Sequence, residues 1–183
     1  MKKAFIIALG VEVNHVATIN GAMVLYSGVG KINAAIGAYT LIQQGATKII
    51  NIGSCGSKQH GLGEIIKVGK VYQDIDGTPI SPYGHTPFED QSHYITLDES
   101  SPYSCFTTDY FFDHAQHSKY APAYLEMINT CSVFDMELYA IAKTCKRHGV
   151  GLSSYKWVSD DGDFSKWKEN CEISSQKVIE MLS

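Results

Sequence analysis

Six residues near the start, "AFIIAL" from Ala4 to Leu9, form an uninterrupted apolar run. A strand with one wet face alternates apolar and polar residues, so a continuous run marks a strand covered on both faces. Ala22 to Tyr26 reads as a second short strand leading into "SGVGK", after which Ile32, Ala35, Ile36, Tyr39 and Ile42 recur at helical spacing until Gly45. "TKIINIGSCGS" reads as a strand emptying into a glycine-rich loop, and "EIIKVGKVYQD" as one further strand. From Ile75 to Tyr94 the chain is rich in Pro, Gly, Asp and His, the mark of a long ordered loop. "SCFTTDYFF" reads as a strand with its exit, "KYAPAYLEMIN" and "MELYAIAKTCKRHG" as helices, "LSSYKWVSD" as a strand, and the segment after Asp163 as a last helix. This alternation, without a break in composition, predicts a single α/β domain over 1–183.

Composition bounds the function classes. The chain has 183 residues, 44% hydrophobic and 19% charged, enough for one sizeable core. A formal charge of −4 and the lack of a Lys/Arg run argue against a nucleic-acid partner. The five cysteines are odd in number, widely spaced and without a CxxC pair, which fits reduced thiols in a cytoplasmic protein. The start imitates a signal peptide, with two lysines before the apolar run. That run is short, soon reaches Glu12 and has no small-residue cleavage site, so a buried first strand is the better reading. No stretch of 18 apolar residues occurs, and no membrane span is expected.

In sheets of this class functional groups gather at the carboxyl ends of strands. Glu12 falls after the first strand, "GSCGS" after the third, "DYFF" after a later one and "SDDGD" after the last. Each has an ordinary explanation: a surface turn, a tight turn, or an N-cap with acids in the first helical turn. Their convergence on one edge is the stronger signal. A fifth junction, "VFDMELYAIAK", sets Glu137 among apolar neighbours, on the inward face of a helix beginning near Met136. An unpaired carboxylate there would cost several kcal/mol. "SGVGK" lacks the spacing and the Ser/Thr of a phosphate-binding loop. His114 and His117 of "HAQH" have metal-ligand spacing but no evident third ligand, and read as a solvated loop.

Taken in order, these motifs resemble the nucleoside phosphorylase/nucleosidase superfamily, and within it the methylthioadenosine/S-adenosylhomocysteine nucleosidase branch. "SGVGKINAA", "INIGSCGS", "DMELYAIA" and "WVSDDGD" are similar to that branch's "SGIGK-x-x-AA", "NTGSAGG", "EMEAxAIA" and "AISDxAD", over Met1 to about Asp163. The resemblance implies a central mixed β-sheet flanked by helices, no cofactor or metal, and hydrolysis of a purine nucleoside, adenine above all, to free base and sugar. It makes Glu137 the acceptor of the ribose hydroxyls, with Met136 on the ribose face. Asp160 becomes the acid at purine nitrogen 7, supported by Ser159. Phe111 stacks on the base, and the backbone beside Phe112 reads its edge. Ser54, with Cys55 and Gly56 of the same loop, borders the site of the attacking water, which Glu12 orients and deprotonates.

The same scaffold supports a second reaction. Phosphorylases need an anion pocket, typically a Gly-Asp near the first strand and an arginine. Here the strand exit "LGVEVN" carries a carboxylate, and Arg147 sits late in a helix, so water is expected as the nucleophile. A catalytically silent binding or storage protein on this fold is the alternative outside enzymes. The resemblance also implies a homodimer or larger, the neighbour completing the pocket. Two departures stand out: Asn14 to Gly21 leave room only for a short connection, and the terminal helix is cut back. Phe164 and Trp167 are candidates for the 5′-substituent pocket or for helix core packing.

Overall fold

The computed structural model describes residues 2–89 and 93–182. Ten strands, β1 (Lys3–Ile7), β2 (Thr18–Ile19), β3 (Ala22–Tyr26), β4 (Lys48–Gly56), β5 (Ile65–Lys67), β6 (Lys70–Gln73), β7 (Tyr94–Thr96), β8 (Ser104–Thr107), β9 (Val133–Asp135) and β10 (Gly151–Asp160), form one mixed sheet. Its main path runs β2-β3-β1-β4-β9-β8-β6-β7, with β10 on β4 and β5 on β10. Around it lie α1 (Lys31–Gln43), α2 (Pro122–Thr130), α3 (Leu138–Arg147) and α4 (Phe164–Leu182).

The opening apolar run is β1, parallel to both β3 and β4. Ala4 and Ile6 point into a core shared with Ala34, Ala38 and Leu41 of α1 and with Leu138 and Ile141 of α3. Phe5 and Ile7 point the other way, against Val13, Ile52, Trp157 and Val178 of α4. Covering both faces is what the unbroken run requires, each buried aliphatic contributing about 1.5–3 kcal/mol. A third cluster packs Phe106, Phe112 and Phe134 against Tyr124 and Ile128 of α2.

Helix α1 buries three small residues and Leu41 and leaves most of its other large residues outside. Ala34, Gly37, Ala38 and Leu41 face the sheet, and a Cβ on Gly37 would come within 3.0 Å of Leu25 and 2.9 Å of Ser27. Ile32, Ile36 and Tyr39 are 78%, 61% and 47% exposed. The spacing located the helix, but of the apolar stripe it marks Ile42 packs against the core while Ile32, Ile36 and Tyr39 are surface.

Three expectations are corrected. "EIIKVGKVYQD" is two strands, because the backbone changes partner: Val68 N–H donates to Ser154 and Gly69 N–H to Tyr103. The helix expected from Met136 starts at Leu138, since Val133–Asp135 is strand β9 and Glu137 is the N-cap. The glycine-rich loop expected at "GSCGS" is the end of β4, which runs to Gly56 because Ser54 and Cys55 pair with Trp157 and Val158 of β10. The connection after Glu12 is short, as expected, and holds β2, antiparallel to β3. "HAQH" lies in an exposed 3₁₀ turn, His114–Lys119. Cys55, Cys105, Cys131 and Cys145 are free and buried, while Cys171 lies outside the described side chains. Among the described residues no helix is long and apolar enough to cross a membrane.

Candidate active site

The exits of β1, β4, β8, β9 and β10 surround a cavity of about 200 Å³. Its wall contains Glu12, Ser54, Cys55, Gly56, Phe111, Phe112, Met136, Glu137, Ser159 and Asp160, and not His114 or His117. Phe164 and Trp167 line it as well, and Phe164 is 57% exposed, so the first turn of α4 is pocket wall.

Glu12 sits in a 3₁₀ turn, Gly10–Val13, directly beyond β1, and is buried. Its Oε2 accepts the Leu9 N–H at 3.0 Å, closing the turn on itself. Its Oε1 accepts the Ser54 N–H at 2.8 Å and the Ser54 hydroxyl at 2.7 Å. Trp167 Nε1 donates to the same hydroxyl at 3.0 Å.

Glu137 is held from the opposite side, its Oε1 accepting the Gly30 N–H at 2.8 Å. The strand–helix junction before it is locked by Asp135. Asp135 Oδ2 accepts the Leu138 N–H at 2.9 Å, Oδ1 accepts the Thr107 hydroxyl at 2.6 Å, and Thr107 Oγ1 accepts the Tyr139 N–H at 2.9 Å. Two orphan donors of the helix start are thereby satisfied without Glu137, which is left to face the cavity. Burial, then the charge of Asp135, push the Glu137 carboxyl up to about 7, against the pull of Lys156 and the Gly30 N–H.

Asp160 ends β10 beside a bulge: Val158 pairs with Cys55 and Asp160 with Gly56, leaving Ser159 as the extra residue. Bulges re-aim side chains, and this one sets Ser159 and Asp160 together on the cavity wall. The Ser159 hydroxyl donates to Asp160 Oδ2 at 2.8 Å and the Gly162 N–H to Oδ1 at 2.9 Å. Gly162 has φ 102°, and a Cβ there would lie 2.8 Å from the Phe112 ring, so glycine alone fits. Burial raises the Asp160 carboxyl above its ordinary range, opposed by those two hydrogen bonds. Phe111 meets Phe164 edge-on at 5.3 Å, making an aromatic rim, while the Phe112 side chain is buried in the cluster with Phe106 and Phe134.

The sequence reading missed Lys156 and Asp135. Lys156 Nζ lies 2.7 Å from Asp135 Oδ2. Burial opposes its charge, yet Asp135 and Glu137 outweigh that and hold the ammonium above its ordinary range. A lone lysine inside the apolar strand "LSSYKWVSD" was the available signal, since a buried cation requires a buried anion. Arg147 ends α3 in an exposed position, at the far end of the helix from Glu137, and no arginine lines the cavity.

An α/β sheet whose strand exits bring Glu12, Glu137 and Asp160 to one cavity has its polar groups where sheets of this class bind their ligands. The chain belongs to the phosphorylase superfamily, whose family model matches residues 15–183. That span begins after Glu12. The chain is similar to the 5′-methylthioadenosine/S-adenosylhomocysteine nucleosidase of an Exiguobacterium species, 27% identical over 182 residues, covering 86% of this chain and 77% of the relative. Two solved structures from Helicobacter pylori share the fold at 18% identity and cover 100% of this chain. They are a 5′-methylthioadenosine/S-adenosylhomocysteine nucleosidase (TM-score 0.85, 96% of its own chain) and a futalosine hydrolase (0.84, 95%).

Proposed function

We propose that the chain hydrolyses the N-glycosidic bond of adenine nucleosides carrying a 5′ substituent, such as 5′-methylthioadenosine or S-adenosylhomocysteine. The observation that carries this reading is the charge of the cavity: a buried carboxylate, Glu12, at the exit of β1, and no arginine in the wall. Lys156, buried and paired with the cavity-lining Asp135, is neutralised by it and offers phosphate no free charge.

In this reading the purine lies between Phe111 and the Asp160 end of the cavity. Burial raises the Asp160 carboxyl above its ordinary range, which favours its acting as the acid that passes a proton to the purine nitrogen as the bond breaks, turning a poor leaving anion into a neutral base. Glu137 accepts from the ribose hydroxyls and, ionised, places negative charge under a sugar that becomes cationic. Met136 packs on the ribose face. Glu12 orients water and takes its proton as it attacks the nearly formed oxocarbenium centre. Chromatography of base release from a panel of nucleosides, with and without phosphate, tests the reading and identifies the 5′ group.

The working form is a homodimer. The Ile32, Ile36 and Tyr39 stripe of α1 supports this, because an exposed apolar face beside the pocket-lining Val29 is stabilised by covering it with a second copy. The buried free thiols fit a reducing compartment, and the cytoplasm is the proposed location.

A further inference from the structure

We propose that Trp167 is a positioning residue for hydrolysis: its indole N–H fixes the Ser54 hydroxyl so that the hydroxyl proton is held on Glu12. This rests on the hydrolase reading above and adds a residue to it. The argument is one of donors and acceptors. A serine hydroxyl carries one proton, and an indole nitrogen can only donate. Ser54 Oγ has Trp167 Nε1 at 3.0 Å and Glu12 Oε1 at 2.7 Å. The indole must therefore fill an acceptor position on Oγ, and the hydroxyl proton is left with Glu12 as its acceptor.

The consequence falls on the base. A carboxylate offers about four lone-pair positions. Three are filled here, two on Oε1 by Ser54 and one on Oε2 by Leu9. What remains is a single acceptor position on Oε2, and this is where the attacking water donates. Without the indole, Ser54 Oγ–H is free to turn from Glu12, Oε1 regains an acceptor position, and water has two competing orientations.

The placement follows from the fold. Trp167 lies in the first turn of α4, its ring stacked on Phe164 at 5.7 Å. Three residues on, on the same helix face, Asn170 Nδ2 donates to the Ser159 carbonyl at 3.0 Å. Helix α4 thus reaches the supporting serine of each catalytic carboxylate, Ser54 beside Glu12 and Ser159 beside Asp160.

The test is a double-mutant cycle on the full-length protein. Trp167→Phe keeps an aromatic ring and removes the donor. It should lower kcat by about tenfold, the scale of one hydrogen bond, and leave KM within about threefold. Ser54→Ala should lower kcat at least as far, and the double variant should be no worse than Ser54→Ala alone, because the two side chains act as one device. Additive losses, a loss confined to KM, or a Trp167→Phe enzyme within twofold of the parent would overturn the proposal. Should Trp167→Phe not fold, indole N–H resonances decide the matter. The chain has two tryptophans, and Ser54→Ala must shift one of their signals; two unmoved signals overturn the proposal. Base release by the parent separates the levels. A parent that releases no base removes the hydrolase reading and this proposal together, whereas an active parent with an additive cycle removes this proposal alone.

Discussion

Lys156 and Asp135 form an ion pair 2.7 Å apart, with each side chain only 1% exposed. Both charges have been taken out of water, which is tolerable only because Thr107 and the Leu138 N–H satisfy the other carboxylate positions. The pair ties β10 to the start of α3 and so sets where Glu137 emerges. Lys156→Met leaves a buried carboxylate without its partner and should cost about 3–5 kcal/mol, read by denaturant unfolding. Adding Asp135→Asn should restore much of that loss. A double variant as unstable as the sum of its parts would contradict the pairing.

Glu137 makes the site sensitive to pH. Its carboxyl is pushed up to about 7 from 4.5, first by burial, so the folded chain holds a proton there that the unfolded chain has lost. A raised carboxyl contributes stability that is present below pH 4.5 and lost as pH climbs to about 7. Glu137→Gln, which cannot ionise, should therefore gain Tm relative to the parent across that window and hold the gain above it. Ribose hydroxyls donate best to the ionised form, so nucleoside binding near pH 6.5 should release protons, measurable by calorimetry in buffers of differing ionisation enthalpy. Glu137→Gln should abolish that release and weaken nucleosides more than free adenine. Equal weakening of both would return Glu137 to a helix-start residue.

Asp160 is assigned to the leaving group. Asp160→Asn keeps the hydrogen bond from Gly162 but has no proton to give, so base release should fall by about 100-fold or more while nucleoside affinity largely survives. Substrates whose leaving group needs no protonation should suffer less. Turnover within a few fold of the parent would contradict the role.

Much of this site was legible because strand exits concentrate chemistry, and the polar breaks after apolar runs are visible without a structure. Glu12, Ser54, Glu137 and Asp160 all stood at such breaks. Lys156 did not, since it sits inside a strand and is explained only by Asp135, 21 positions away in sequence and adjacent in space. The Trp167 bond to Ser54 was hidden for the same reason: periodicity locates a helix but not what its first turn meets. The start of α3 was misplaced by two residues because β9 is only three residues long and apolar throughout but for Asp135. In α1 the spacing was real, yet at Gly37 the approach to β1 and β3 is so close that only a residue without a Cβ fits, and Ile32, Ile36 and Tyr39 face away.

The exposed face of α1 predicts association. Ile36→Glu places a charge in the middle of the Ile32–Tyr39 stripe without touching the core, and should convert a dimer to a monomer in sedimentation experiments with little change in unfolding. A parent that sediments as a monomer at micromolar concentration would contradict the proposed assembly.

The proposed role of Glu12 separates hydrolysis from phosphorolysis. Its buried carboxylate lies beyond β1, close enough to Ser54 to accept both its N–H and its hydroxyl. Glu12→Gln can still orient water but cannot take its proton, and should lower turnover sharply while substrate binds. The most direct measurement is the sugar product of base release, followed with phosphate present and absent. The account predicts a free sugar at the same rate in both; a sugar 1-phosphate as main product, or release that requires phosphate, would contradict it.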